Sequence, residues 1–153
     1  MSYITAAEKE QFFKDVDAYA RTATWCALAT VSNGEPRFRM VHPTWEGDTL
    51  WVATGVDTLK AKQIAANPMV DVQFQVSPPD FIHLMVRGRG TLVQDNATRE
   101  HVWHNVMDYD LGDFFPDGPD SPGFVAIRID PERVELSEMF GMANKRVWRS
   151  GRE

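Results

Sequence analysis

The stretch EPRFRMVHP, residues 35–43, follows an Asn-Gly dipeptide at 33–34, which is the strongest short signal for a β-hairpin. The run before the dipeptide, TWCALATV at 24–31, is rich in residues that favour strands and predicts the first arm of the hairpin. The quoted stretch is then the second arm. Its two arginines, Arg37 and Arg39, make it more than an ordinary strand.

Arg37 and Arg39 alternate with Phe38 and Met40, so both guanidinium groups project from one face of the predicted strand. The chain carries 22 acidic and 16 basic residues, a net charge of −6. This balance is against a broad nucleic-acid surface. Two explanations for the arginines stay open: a solvated outer face, or a local pocket for an anionic ligand.

With 153 residues and a hydrophobic share of 43%, the chain is expected to form a single domain, 1–153, with a real core. The one cysteine, Cys26, excludes an internal disulfide and is interpreted as a buried apolar filler in a reducing compartment. No apolar run approaches the roughly 20 residues of a membrane span, and the first residues lack a signal-peptide pattern. The prediction is a cytoplasmic protein without membrane or nucleic-acid partners.

Short strands at close spacing, with helices between them, predict an antiparallel barrel with helices packed outside. The glycines at 88 and 90 predict a bulge or bend within their strand. Residues 140–153 are interpreted as a tail that extends from the domain. The predicted strands are 24–31, 37–44, 49–54, 69–76, 81–94, 124–129 and 133–139, and the predicted helices are 5–20, 57–67 and 95–109.

A candidate anion site combines Arg39 with the start of the second helix, where Thr58 and Lys60 lie in the first turn. Free amides at a helix start bind phosphate, and a lysine there adds a full positive charge. The bland alternative is that Thr58 only caps the helix and Lys60 is a solvated surface residue. The residues alone leave both interpretations open.

Several segments in a fixed order resemble the pyridoxamine 5′-phosphate oxidase-like, FMN-binding split-barrel superfamily. The segments LATV, GEPRFRMV, GDTLWVATG, DTLKAKQIAANPMVDVQF and MVRGRGTLV carry the resemblance, which covers about 8–136. The later segments LVQDNATREHVW and DFFPDGPDSPGFVAIRIDPERVEL are similar to the general stress protein branch. The resemblance implies a mainly β, α+β protein: a six- or seven-stranded antiparallel Greek-key split β-barrel with flanking helices.

The resemblance also implies a homodimer that binds FMN at the subunit interface. Arg39 would pair with the phosphate as a forked guanidinium, Thr58 and Lys60 would close on the phosphate, and His83 would reach the flavin of the second subunit. The cofactor-binding residues implied in this way are Arg39, Met40, Val41, Ala53, Thr54, Thr58, Lys60 and His83.

The sequence departs from the family pattern at several positions. Leu59 replaces a second basic residue, Asp57 adds a negative charge nearby, and Ser137 replaces a tryptophan that walls the flavin in many relatives. The segment MANKRVWRS, 142–150, lacks the Arg-x-His pair with which true oxidases hold pyridoxal phosphate. Pyridoxamine phosphate oxidation is therefore disfavoured.

Three functions remain open, and no catalytic acid or base is assigned to any of them. The first is an FMN-dependent oxidoreductase that works on a small redox partner such as NAD(P)H. The second is a flavin-binding stress or storage module without turnover, and the third is a deazaflavin-dependent reductase. His101 and His104 lie three residues apart on a predicted helix, but no accompanying carboxylate motif supports a metal site.

Overall fold

Nine strands form the body of the protein in the computed structural model, which describes residues 1–151. The strands are β1 (Ser2–Tyr3), β2 (Cys26–Ser32), β3 (Glu35–Val41), β4 (Thr44–Glu46), β5 (Thr49–Gly55), β6 (Met69–Phe74), β7 (His83–Val93), β8 (Phe124–Glu138) and β9 (Ala143–Arg149). The helices are α1 (Lys9–Ala23), α2 (Leu59–Ala66) and α3 (Asn96–His101), with short helical turns at Ala6–Glu8, Val102–Val106 and Leu111–Asp113. The predicted mainly β fold with flanking helices is confirmed.

The strands pair in the order β1-β9-β8-β7-β6-β2-β3, and β5 branches from β8 with β4 at its outer edge. All pairs are antiparallel except β1 with β9, which run parallel. The sheet is therefore mixed, and within residues 1–151 its hydrogen-bonded path does not close. The predicted hairpin at 33–34 is confirmed, because Ser32 pairs with Glu35 across the turn.

The last two predicted strands, 124–129 and 133–139, are one continuous strand, β8. Pro131 does not end it, because the opposite strand accommodates the proline with a register shift at Arg87/Gly88. A Cβ atom on Gly88 would lie 2.4 Å from the carbonyl oxygen of Asp130, so only glycine permits this approach. The bulge predicted from the strand glycines is confirmed at this position.

Residues 143–149 are not an extended tail, because they form β9 against β8. The aromatic ring of Trp148 is buried and packs edge-on against Phe13 of α1, with 5.2 Å between the ring centroids. The predicted third helix, 95–109, is also shorter, since α3 passes into a wider turn that ends at Val106. Tyr109 instead stacks on His42, with centroids 4.3 Å apart.

The main core lies between α1 and the inner face of the sheet, where Phe12, Phe13 and Val16 meet the inward side chains of the strands. Helix α2 packs against β7 at Gly90, where a Cβ atom would lie 3.0 Å from the side chain of Ile64. This close approach holds α2 against β7, and the N-terminus of α2 follows the end of β5 after only residues 56–58. The candidate anion site lies there.

Candidate functional site

Helix α2 begins with a threonine cap that is linked to β5 by side-chain hydrogen bonds. The Thr58 hydroxyl accepts a bond from the backbone N–H of Ala61 at 3.4 Å and donates to the carbonyl oxygen of Gly55 at 2.8 Å. The Nζ of Lys60 donates to the hydroxyl oxygen of Thr54 at 2.9 Å, and that oxygen lies 3.3 Å from the Thr58 hydroxyl. The structure thus unites three of the predicted residues: Thr54, Thr58 and Lys60.

Arg39 of β3 reaches α2 close to Lys60. Its Nη1 donates to the carbonyl oxygen of Leu28 at 3.1 Å and to the Thr30 hydroxyl at 2.8 Å. Its Nη2 donates to the Oε1 of Gln63 at 2.6 Å. Gln63 lies one helical turn after Lys60, so α2 supplies one of the two cations and holds the other through Gln63.

Both cations are half-buried, and this burial changes their acid–base equilibria. Burial lowers the pKa of the Lys60 ammonium, and the charge of Arg39 lowers that pKa further. Burial likewise lowers the pKa of the Arg39 guanidinium. Within residues 1–151 neither group forms a salt bridge with a carboxylate. Two like charges held together without a counter-ion favour the binding of an anion between them.

Arg37 shows the contrast within the same strand. Its Nη2 donates to the carboxylate of Glu35 at 2.6 Å, and the side chain is exposed. The solvated outer position that the sequence leaves open for both arginines therefore describes Arg37 and not Arg39.

The other residues predicted to bind the cofactor on β3 and β5 differ in their exposure. Met40 is exposed on the outer face of the sheet, whereas the side chain of Val41 is buried in the core. Ala53 is half-buried on β5, next to Thr54. None of these placements tests a role in flavin binding, which stays a prediction for all three.

His83 is not part of the cluster in one chain, because β6 and β2 lie between its strand, β7, and β3. Its ring meets Phe140 edge-on at 5.6 Å, and Phe140 stacks on Phe81 at 4.7 Å. The role of His83 at the flavin of a second subunit therefore stays a prediction. The departure at Ser137 is explained locally, since its buried hydroxyl donates to Glu135 at 2.9 Å.

Sequence reasoning missed Gln63 and Thr30, which hold the Arg39 guanidinium. Thr30 is a buried polar residue at an inward position of β2, and Gln63 follows Lys60 at helical spacing. In the sequence, Thr30 shows only its alternation with Leu28 along a predicted strand, and Gln63 shows only its spacing from Lys60. Neither reveals that β2 and α2 meet at Arg39.

The remaining candidate groups have structural partners. His101 bonds Glu46 at 2.6 Å, and His104 bonds Glu100 at 3.1 Å. In the described part of the chain no group of three His, Cys, Asp or Glu residues could hold a metal ion. Cys26 is buried, as predicted, and burial raises the pKa of its thiol to about 12. No helix within residues 1–151 is long and apolar enough to cross a membrane.

A family model described as pyridoxamine 5′-phosphate oxidase matches residues 12–138 of the chain. The chain belongs to this family. The resemblance seen in the sequence motifs is therefore confirmed, and the match takes in both cations of the cluster and the helix between them.

The chain is also similar to a general stress protein and to a structure of a related protein. General stress protein 26 of Bacillus subtilis (strain 168) is 27% identical over 112 residues, covering 72% of this chain and 76% of that protein. A Clostridium acetobutylicum protein related to general stress protein 26 has a similar structure, with a TM-score of 0.73 and 19% identity, covering 92% of this chain and 96% of that one.

Two further solved structures concern the cofactor. An FMN-binding, pyridoxamine 5′-phosphate oxidase-related protein of Nostoc punctiforme has a TM-score of 0.64 and 22% identity, covering 94% of this chain and 92% of that one. An F420 reductase has a TM-score of 0.53 and 26% identity, covering 71% of this chain and 86% of that one. The first of these likenesses shows the shared fold alone.

Proposed function

We propose that this protein binds FMN and works as an oxidoreductase on a small redox partner such as NAD(P)H. The observation that carries the proposal is the pair of cations at the start of α2. Arg39 and Lys60 are held near each other, half-buried and without a carboxylate partner in residues 1–151. An anion with two negative charges matches this pair.

The phosphate group of FMN suits the donors of the cluster. The Arg39 guanidinium offers a forked contact, Lys60 a point charge, and the first turn of α2 its free backbone amides. Leu59 contributes no charge and points to solvent, so Arg39 and Lys60 carry the electrostatic part of the binding. When bound, FMN would supply the redox chemistry, while the chain would hold the cofactor and orient it.

The proposal includes a homodimer with the flavin at the subunit interface. Phe38 and Met40 lie on the outer face of β3 with 76% and 55% of their surface exposed. Such a pair of large apolar side chains supports an interface on this face. Two strands, β6 and β2, lie between the strand of His83 and that of Arg39, and a second subunit would bring His83 to the flavin.

A deazaflavin-dependent reductase is a second candidate, favoured by the likeness to the F420 reductase. That cofactor carries a long polyanionic tail. Arg39 and Lys60 match the single phosphate of FMN better than such a tail. Family membership does not bring pyridoxamine phosphate oxidation with it, and the missing Arg-x-His pair argues against that activity.

The test is the absorbance spectrum of the purified protein, followed by titration with FMN and with a deazaflavin. Bands at about 370 and 450 nm, where any oxidised flavin absorbs, are expected for the native protein or after FMN is added. Oxidation of NAD(P)H by the FMN-loaded protein would support the oxidoreductase, and its absence would favour the storage module. A protein that binds a deazaflavin but no FMN would contradict the proposal.

A further inference from the structure

The guanidinium of Arg39 is held by acceptors from two other elements. The Thr30 hydroxyl of β2 accepts from Nη1 at 2.8 Å, and Gln63 Oε1 of α2 accepts from Nη2 at 2.6 Å. The Thr30 hydroxyl also donates to the same Gln63 oxygen, at 2.6 Å. Arg39, Thr30 and Gln63 thus form a closed ring of hydrogen bonds, which we name the arginine clamp.

The arginine clamp leaves one edge of the guanidinium free. A guanidinium has five N–H groups. The two on Nη1 serve Leu28 and Thr30, and one on Nη2 serves Gln63. The remaining N–H groups, one on Nε and one on Nη2, have no acceptor in residues 1–151. Because the Thr30 and Gln63 oxygens lie 2.6 Å apart, they take the two N–H groups at the end of the guanidinium. The free pair then lies along its Nε side and forms a fork that fits two oxygens of a phosphate.

We propose that Gln63 is the positioning residue that aims this free edge at the ligand and so sets the preference for phosphorylated over unphosphorylated flavin. The inference rests on the proposed flavin-binding function. A neutral amide is the suitable acceptor, because it fixes the guanidinium without neutralising its charge. A carboxylate of the same length would form a salt bridge and compete with the phosphate.

The test compares Gln63→Glu with the wild type by titrating FMN and riboflavin, which lacks the phosphate, with flavin fluorescence as the readout. Gln63→Glu keeps an acceptor at the same place, so the thermal unfolding midpoint should not fall. The FMN dissociation constant should rise about tenfold or more, the lower range for a charged hydrogen bond to a phosphate. The riboflavin constant should change less than about twofold.

The matched control is Gln94→Glu, which adds the same charge at an exposed position outside the arginine clamp. It separates a local effect on Arg39 from a general effect of net charge on FMN. Both flavin dissociation constants should stay within about twofold of the wild type. An equal loss of FMN affinity in both variants would overturn the role of Gln63.

A double variant tests whether Gln63 acts through Arg39. Gln63→Ala should lower the ratio of FMN to riboflavin affinity in the wild type and leave it unchanged in an Arg39→Ala background. Additive effects, or equal losses for the two flavins, would overturn the inference. If the wild type prefers FMN and every Gln63 variant keeps that preference, the role of Gln63 is overturned and the proposed function stays intact. A wild type that binds neither flavin would overturn both.

Discussion

Arg37 and Arg39 lie two residues apart on β3, but their surroundings differ. Arg37 is exposed and bonds Glu35 at 2.6 Å, whereas Arg39 is half-buried among neutral acceptors. The carboxylate of Glu35 neutralises the charge of Arg37, whereas the charge of Arg39 has no such partner and is retained. This difference provides a matched pair of variants for the phosphate role.

Arg39→Ala should weaken FMN binding far more than Arg37→Ala does. A charged hydrogen bond to a phosphate contributes about 1.5–3 kcal/mol, so its loss should raise the FMN dissociation constant roughly 10–150-fold. Riboflavin should bind the wild type and Arg39→Ala about equally. Titration of both flavins by fluorescence quenching measures the effect. Equal losses of FMN and riboflavin affinity would make Arg39 a structural residue of the strand.

At the scale of elements, β9 joins the end of the chain to the main core. Trp148 contacts Phe13 of α1, and the Nζ of Lys9 lies 5.3 Å from the centre of its ring. The next residue, Arg149, is exposed on the opposite face of the strand. Substitutions at these two neighbouring residues therefore distinguish the contribution of core packing from that of an exposed position in the same strand.

Trp148→Ala should lower the free energy of unfolding by about 3–5 kcal/mol, because it leaves a cavity between β9 and α1. Arg149→Ala should cost less than about 1 kcal/mol, since only an exposed cation–π contact with Tyr3 is removed. Urea denaturation followed by tryptophan fluorescence or circular dichroism measures both values. Similar stabilities for the two variants would mean that β9 contributes little to the core.

Local patterns were enough to predict many of these elements. The Thr5–Glu8 capping box is present at the start of the first helical turn, and the Asn-Gly hairpin has its expected register. The prediction of an extended tail at the end of the chain is wrong because the alternation in β9 is weak. Its partner, β8, is connected to it by a turn in which Met139 and Phe140 have left-handed backbone conformations. Turns of that kind leave little trace in composition.

The candidate site was predictable in part for the same reason. Arg39, Thr58 and Lys60 are recognisable from strand alternation and helix capping, which are local. Thr30 and Gln63 meet Arg39 only because α2 packs beside β2, and no local pattern states which helix lies against which strand. Long-range packing also decides that Arg37, two residues nearer the hairpin turn on the same strand, is exposed, while Arg39 reaches α2.

At the scale of the whole molecule, no helix within residues 1–151 covers the outer face of β3, β2 and β6. Large apolar side chains lie exposed on this face, and by the strand register they share it: Phe38, Met40 and Met69. The net charge of −6 favours solubility, whereas an exposed apolar surface of this kind does not. A second copy of the chain would bury it.

We expect the protein to be a dimer at micromolar concentration, with more than about 1,500 Å² buried in the contact. Phe38→Asp should shift it towards a monomer, because it places a carboxylate in the centre of the apolar face. It should also weaken FMN binding if, as we propose, the flavin lies at the subunit interface. Ala18→Asp, which adds the same charge on the exposed side of α1, should change neither property. Light scattering coupled to size-exclusion chromatography gives the mass, and a monomeric wild type would contradict both the dimer and the shared flavin site.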